Sequence, residues 1–237
     1  MDRQTRLYVV YALTTFFFTI FFLSGIYFDI PSPNRYVDTK IVYQTVTKYI
    51  NSTIELPVGQ IYEKNVTVYG IAVFNETGSG ELAKISMLLK PGYGGMFLDV
   101  SEKTFGTDLQ ESMPLIREYA QEFTGENLMY KDVIVKIEFT GTNVQGTSGS
   151  AAMAVGLIAM LQGTELKDDT VLTGVLNPDG TLDPVNSLNL KISVAKKLGV
   201  REILIPKVEC SSVNESITGI TVTCVNSVRE ALKYMTA

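Results

Sequence analysis

Two positions in this chain carry side chains whose type and setting could do chemistry. Lys191 lies in LNLKISVAKKLG, where about 100° per residue puts Leu188, Ile192, Val194, Ala195 and Leu198 on one helical face. Lys191 falls in the middle of that apolar stripe, while Lys196 and Lys197 point elsewhere. An amine projecting into a core is costly when charged, so its pKa falls toward neutrality, and a neutral amine is a candidate general base. The plain alternative is snorkelling, with the stem on apolar surface and the ammonium in water. Ser148 lies in Gly146-Thr-Ser-Gly-Ser, a turn that leads from a strand into an apolar helix. Flanking glycines let the backbone bend tightly and present the hydroxyl at a helix N-terminus, where N–H groups form a ready oxyanion site. The plain alternative here is an N-cap serine, a role Ser150 would fill equally well.

Composition narrows what any such chemistry could be. The chain has 237 residues, 20 Lys+Arg against 25 Asp+Glu, no histidine and no tryptophan. A formal charge of −5 leaves no basic excess to neutralise phosphates, which argues against nucleic acid as partner. Without histidine there is no Ser-His-Asp or Cys-His catalysis and no His-ligated zinc. A base must then be a carboxylate, an amine or a thiol. Neither a metal nor a cofactor is expected.

The elements that must position these residues follow from patterning. Val66–Phe74 and Ala83–Leu89 read as strands around the turn-rich Asn75-Glu-Thr-Gly-Ser-Gly, and Met96–Val100 as a third. Thr107 with Gln110 and Glu111 resembles a helix start, Leu109, Met113, Ile116, Ala120 and Phe123 keep helical spacing, and Gly125 is a natural stop. Val133, Val135, Ile137 and Phe139 alternate as a half-buried strand. Ala151–Leu161 has no polar face, so a helix there is buried on all sides. Thr170–Leu176 reads as a strand, Leu188–Leu198 as a helix and Glu202–Pro206 as a strand. A last helix starts near Ser227 with Asn226 as cap and Val228, Ala231, Leu232 and Met235 on one face. Strands and helices mix without a strict βαβ rhythm, so the class is α+β or mixed α/β.

Ahead of this domain the chain changes character. Leu7–Phe28 is uncharged and strongly apolar, and at about 1.5 Å per residue it reaches roughly 33 Å, enough to cross a bilayer. No A-x-A cleavage pattern follows, so a retained transmembrane helix is expected over a cleaved signal peptide. Arg3 and Arg6 before the span nearly balance Arg35 and Lys40 after it, so charge does not fix its orientation. Residues 1–28 are thus read as tail and anchor, 29–59 as a polar stalk with Pro31, Pro33 and Pro57, and 60–237 as the domain. Tyr43–Ile54 could be helix or strand. N-x-S/T sequons at Asn51, Asn65, Asn75 and Asn214, with the even pair Cys210 and Cys224, favour a domain outside the cytoplasm. The two cysteines could equally be buried free thiols.

With these residues in view, a resemblance emerges. GTSGSAAMAVGLIAMLQG, VLTGVLNPDGTLDPVNSLNLK and AKKLGVREILIPK resemble the proteolytic domain of Lon-type serine peptidases. The family's serine, in a G-P-S-A-G turn before an alanine-rich helix, matches Ser148. Its catalytic lysine, on the helix upstream of a V-L-I-P-like strand, matches Lys191, and its T-G-E threonine matches Thr173. No gap is needed between Ser148 and Lys191, and the likeness covers roughly residues 66–206, more faintly at its beginning. Three features depart from the pattern: the acid three before the serine is Gln145, the proline is Thr147, and G-G-L before the lysine is Asn186-Ser-Leu. No G-x-x-x-x-G-K-[ST] phosphate loop occurs in the sequence.

The resemblance implies a Lon-like fold preceded by one transmembrane helix, and a Ser-Lys dyad. Lys191 would deprotonate Ser148, backbone N–H groups around Thr147 to Gly149 would hold the oxyanion, and Thr173 would keep the amine in line. The expected activity is that of a membrane-anchored, ATP-independent endopeptidase facing outward and cutting unfolded or flexible polypeptide. Since the family forms rings, the resemblance also implies a hexamer. Gln145 in place of the acid supports a second reading, a non-catalytic Lon-like scaffold or peptide-binding domain. A third, a signal-peptidase-like enzyme, would want its serine near the membrane, whereas Ser148 lies about 120 residues beyond Phe28.

Overall fold

The computed structural model describes residues 63–74, 77–99, 104–141, 143–144, 146–214, 216–217 and 219–237. The predicted anchor, the stalk, Asn51, Asn75 and Gln145 lie outside the described residues. Among those described, no helix is long and apolar enough to cross a membrane.

Alternating apolar residues build the main sheet. Strands β1 (Lys64–Phe74) and β2 (Ser79–Pro91) form an antiparallel hairpin in register from Lys64↔Leu89 to Phe74↔Ser79. Strand β3 (Met96–Leu98) lies parallel to β5 (Lys131–Glu138), and β5 is antiparallel to β2, giving the order β1-β2-β5-β3. A side-chain period of two sends Ala83, Ile85, Met87 and Leu89 of β2, with Val133, Val135 and Ile137 of β5, into one core. On β1 the period splits the strand between two cores. Val66, Val68 and Ala72 face the first, while Tyr69, Ile71 and Val73 face the second.

Helices α1 (Thr107–Thr124) and α2 (Ser150–Gln162) cover the first face. Every residue of α2 from Ser150 to Leu161 is buried, as its missing polar face requires. Gly125 ends α1 at φ 72°, a left-handed conformation that favours glycine. Helix α1 starts at Thr107 as expected, but its cap is the backbone of Gly106, and the Gln110 amide donates to Phe105 O at 3.1 Å. The parallel sheet β11-β10-β7 (Thr221–Val225, Glu202–Pro206, Thr170–Leu172) and helix α3 (Leu188–Lys197) enclose the second core. Two short ribbons complete the sheets, β4 (Thr104–Phe105) with β6 (Asn143–Val144) and β8 (Val175–Leu176) with β9 (Leu182–Asp183).

Three expectations need correction. The single strand over 170–176 is two, β7 and β8, interrupted at Thr173–Gly174. Thr173 N–H still donates to Leu204 O of β10 at 3.0 Å, and at Gly174 the backbone pairs with the serine turn: Gly174 N–H donates to Ser148 O at 2.9 Å and its carbonyl accepts from Ala151 N–H at 3.3 Å. The cap of α4 (Val228–Met235) is Ser227 rather than Asn226, because Ser227 Oγ accepts from Glu230 N–H at 3.3 Å. Glu230 in turn accepts the Asn226 N–H at 2.8 Å. Leu198 is 43 % exposed, since α3 ends at Lys197 and Leu198 turns the chain out of the stripe.

Candidate active site

The serine turn is built by a glycine and an acid. Gly146 has φ 93°, a conformation a side chain would strain, and its N–H donates to Asp108 Oδ2 at 2.7 Å. Asp108 stands in the first turn of α1, where its other oxygen accepts the Leu109 N–H at 2.9 Å. Ser150 N–H closes the turn onto Thr147 O at 2.8 Å. Neither serine caps α2 with its side chain: the cap residue is Gly149, and Ser150 Oγ accepts from Leu176 N–H at 2.9 Å. Ser148 Oγ is thereby left free of the capping role that would otherwise explain it.

Lys191 does not snorkel. It is 4 % exposed, and its Nζ lies 2.6 Å from Ser148 Oγ and 3.2 Å from Thr173 Oγ1. Burial holds the amine down to about 8, and the nearby negative charge of Glu209 pulls it part of the way back up. Thr173, 2 % exposed, directs its hydroxyl hydrogen to Ser148 O over a long 3.4 Å. With that hydrogen committed, Thr173 Oγ1 offers lone pairs to Lys191 and accepts an amine N–H. The remaining lone pair of a neutral Lys191 can then point at Ser148 Oγ. Such an arrangement can move a proton from hydroxyl to amine without rearrangement.

Around this pair lies a groove of about 760 Å³. One wall is five consecutive residues of the edge strand β1, Gly70–Phe74, and the rim Pro184–Ser187 leading into α3 lines the groove as well. The turn Gly146–Gly149 also lines it, with Ile137, Phe139 and Met153 supplying apolar surface. Among the described residues, the backbone N–H groups of Ser148 and Gly149 make no hydrogen bond, and no three carboxylate or thiolate side chains converge on a metal position. Ser187 has φ 58° and is the one non-glycine residue with positive φ among those described. It stands where the resemblance has a glycine, which explains the preference at that position.

The other sequence-predicted residues lie away from the groove. Cys210 and Cys224 are joined by a disulfide with Cα atoms 6.1 Å apart, tying the 3-10 helix Lys207–Ser212 to β11. Asn65 is exposed on β1, and Asn214 is exposed just past the 3-10 helix. Sequence reasoning missed Asp108 and Glu209. Asp108 was legible only as a helix-start acid, and nothing in the pattern around Glu209 marked it.

This is the site of a peptidase domain, and the comparisons place the chain. The model of the Lon protease (S16) C-terminal proteolytic domain matches residues 41–236, and the chain belongs to that family. The match begins inside the stretch read as stalk. The chain is 26% identical over 161 residues to an archaeal Lon protease of Methanocaldococcus jannaschii, covering 63% of this chain and 24% of that protein. It is 30% identical over 133 residues to Lon protease 2 of Syntrophobacter fumaroxidans, covering 54% and 16%. With a Lon protease of Lachnoclostridium phytofermentans it shares 25% over 203 residues, covering 74% and 25%. The chain thus spans a quarter or less of the length of these relatives.

Proposed function

We propose that this protein is a serine endopeptidase in which Ser148 is the nucleophile and Lys191 the general base. The observation that carries the reading is the 2.6 Å approach of a buried amine to a hydroxyl that caps nothing. Lys191 Nζ takes the Ser148 proton as Oγ bonds to a peptide carbonyl carbon, and the N–H groups of Ser148 and Gly149 hold the oxyanion. Each such donor typically lowers the barrier by ~3–4 kcal/mol. The ammonium then protonates the leaving amine as the C–N bond breaks, leaving an acyl-enzyme. Water, deprotonated by the same amine, releases the acid and regenerates Ser148.

Substrate class follows from the groove. A wall made of an edge strand suits an extended polypeptide. The reading is therefore cleavage of unfolded or flexible segments, and we extend it to turnover without ATP. Residues 7–28 anchor the chain in the membrane, and the domain from about residue 60 faces away from the cytoplasm, as the sequons and the cysteine pair suggest. Assembly into a hexameric ring rests on the resemblance alone. Gln145 favours the rival reading of a non-catalytic scaffold, because it supplies no charge to tune the site. Labelling with a serine-directed phosphonate separates the two. A mass shift on the peptide carrying Ser148, absent in Lys191→Arg, is the expected result; no labelling of the folded protein decides for the scaffold.

A further inference from the structure

A dyad whose family acid is replaced by Gln145 has a further carboxylate, on a different element, bound to the rim of its groove. Glu209 stands on the 3-10 helix Lys207–Ser212, and its Oε2 accepts the Val185 N–H at 2.9 Å. Val185 is in the rim of the groove, two residues before the left-handed Ser187 and six before Lys191. The 3-10 helix is itself clamped. Cys210 is bonded to Cys224 of β11, the Asn189 amide of α3 donates to Ser212 O at 2.9 Å, and Asn189 Oδ1 accepts from Asn214 N–H at 2.8 Å. Disulfide and amide together fix where the Glu209 carboxylate stands relative to α3.

We propose that Glu209 is the positioning carboxylate of this site, holding the Pro184–Ser187 rim through Val185 and serving as the counter-charge to Lys191. The inference rests on the dyad reading for its catalytic meaning, though not for its electrostatics. Other ionisable groups stand on the surrounding elements: Asp108 on α1, Tyr69 on β1, Glu81 on β2, Asp183 on β9, Lys196 and Lys197 on α3, and Lys207 beside Glu209. Among these described groups Glu209 is held by Val185 on the groove that Lys191 also lines, and its negative charge pulls the amine upward against burial. It favours the ammonium, opposing desolvation, so it strengthens the base while reducing the fraction that is neutral at pH 7. The charge would also steady the ammonium formed when Ser148 gives up its proton.

The test titrates Lys191 in the full chain in detergent, by NMR of 13Cε-labelled lysine, the signal assigned by its loss in Lys191→Arg. Glu209→Gln keeps an acceptor for Val185 N–H and removes the charge. Its Lys191 midpoint should move to lower pH than the parent's, and the acid limb of kcat/KM should move with it. Glu209→Asp keeps the charge and should stay close to the parent. Should the glutamine variant fold poorly, Glu209→Ala gives the same reading of the charge. A midpoint unchanged or raised in the neutral variant overturns the proposal, since a purely structural Glu209 would not move it downward. If the parent proves unable to cleave anything, the peptidase reading falls while the amine titration still decides on Glu209.

Discussion

A buried amine costs the fold stability at neutral pH whether or not it ever serves as a base. Lys191 has an ordinary amine pKa of 10.5 in the unfolded chain and about 8 when folded. Between those values the unfolded state binds more protons, so stability rises with pH across that window. The gain is full above about 10.5 and is lost as pH falls through about 8. The penalty at pH 7 is on the order of 3 kcal/mol. Lys191→Met should therefore raise the Tm at pH 7 while abolishing cleavage, and its advantage should shrink as pH approaches 10.5; thermal unfolding at several pH values checks this. An equal or lower Tm at pH 7 would mean that Nζ is solvated. For the same reason kcat/KM should climb with pH through about 8, as the neutral amine appears. At this scale the sequence was informative: the helical angle alone singled out Lys191, because a charge in an apolar stripe breaks a strong pattern. Thr173 carried no such signal, since a buried threonine is ordinary, and its part depends on a hydroxyl hydrogen whose partner is 25 residues away.

At the level of elements, the strap into α3 and the packing of α2 set the geometry. Ser187 at φ 58° sits in a conformation that costs a side chain about 1 kcal/mol. Ser187→Gly relieves that strain and should raise stability by at most that amount, measured by denaturant unfolding. Helix α2 lies against β1 so closely that a methyl on Gly156 would meet Val68 Cγ1 at 3.0 Å and Met87 Cε closer still. Gly156→Ala should cost about 1–3 kcal/mol and, by displacing α2, weaken the alignment of Ser148. The 14-residue separation of Cys210 and Cys224 makes their disulfide worth about 3 kcal/mol in chain entropy, so the double serine variant should lose a similar amount. Long periodic elements such as α1, α2 and the β1–β2 hairpin were legible from sequence. The split between β7 and β8 was not, because Thr173–Gly174 looks like continuous strand until the serine turn claims the Gly174 N–H.

On the scale of the whole molecule, two cores meet along β1. The strand packs against α2 on one side and α3 on the other, and its edge lines the groove that holds serine and lysine. Nucleophile and base are carried by different cores, so catalysis depends on both being packed at once. No local pattern in a sequence reports that arrangement; only the resemblance to the Lon family brought Ser148 and Lys191 together in advance. If the apolar stretch at 7–28 anchors the chain, the protein should stay with membranes after alkaline carbonate washing and leave them only in detergent. The most direct measurement of the central claim incubates the detergent-solubilised full chain with a permanently unfolded polypeptide in the absence of ATP. Cleavage by the parent, and by neither Ser148→Ala nor Lys191→Arg, is the result this account predicts. Undiminished cleavage by either variant would contradict the Ser148–Lys191 dyad outright.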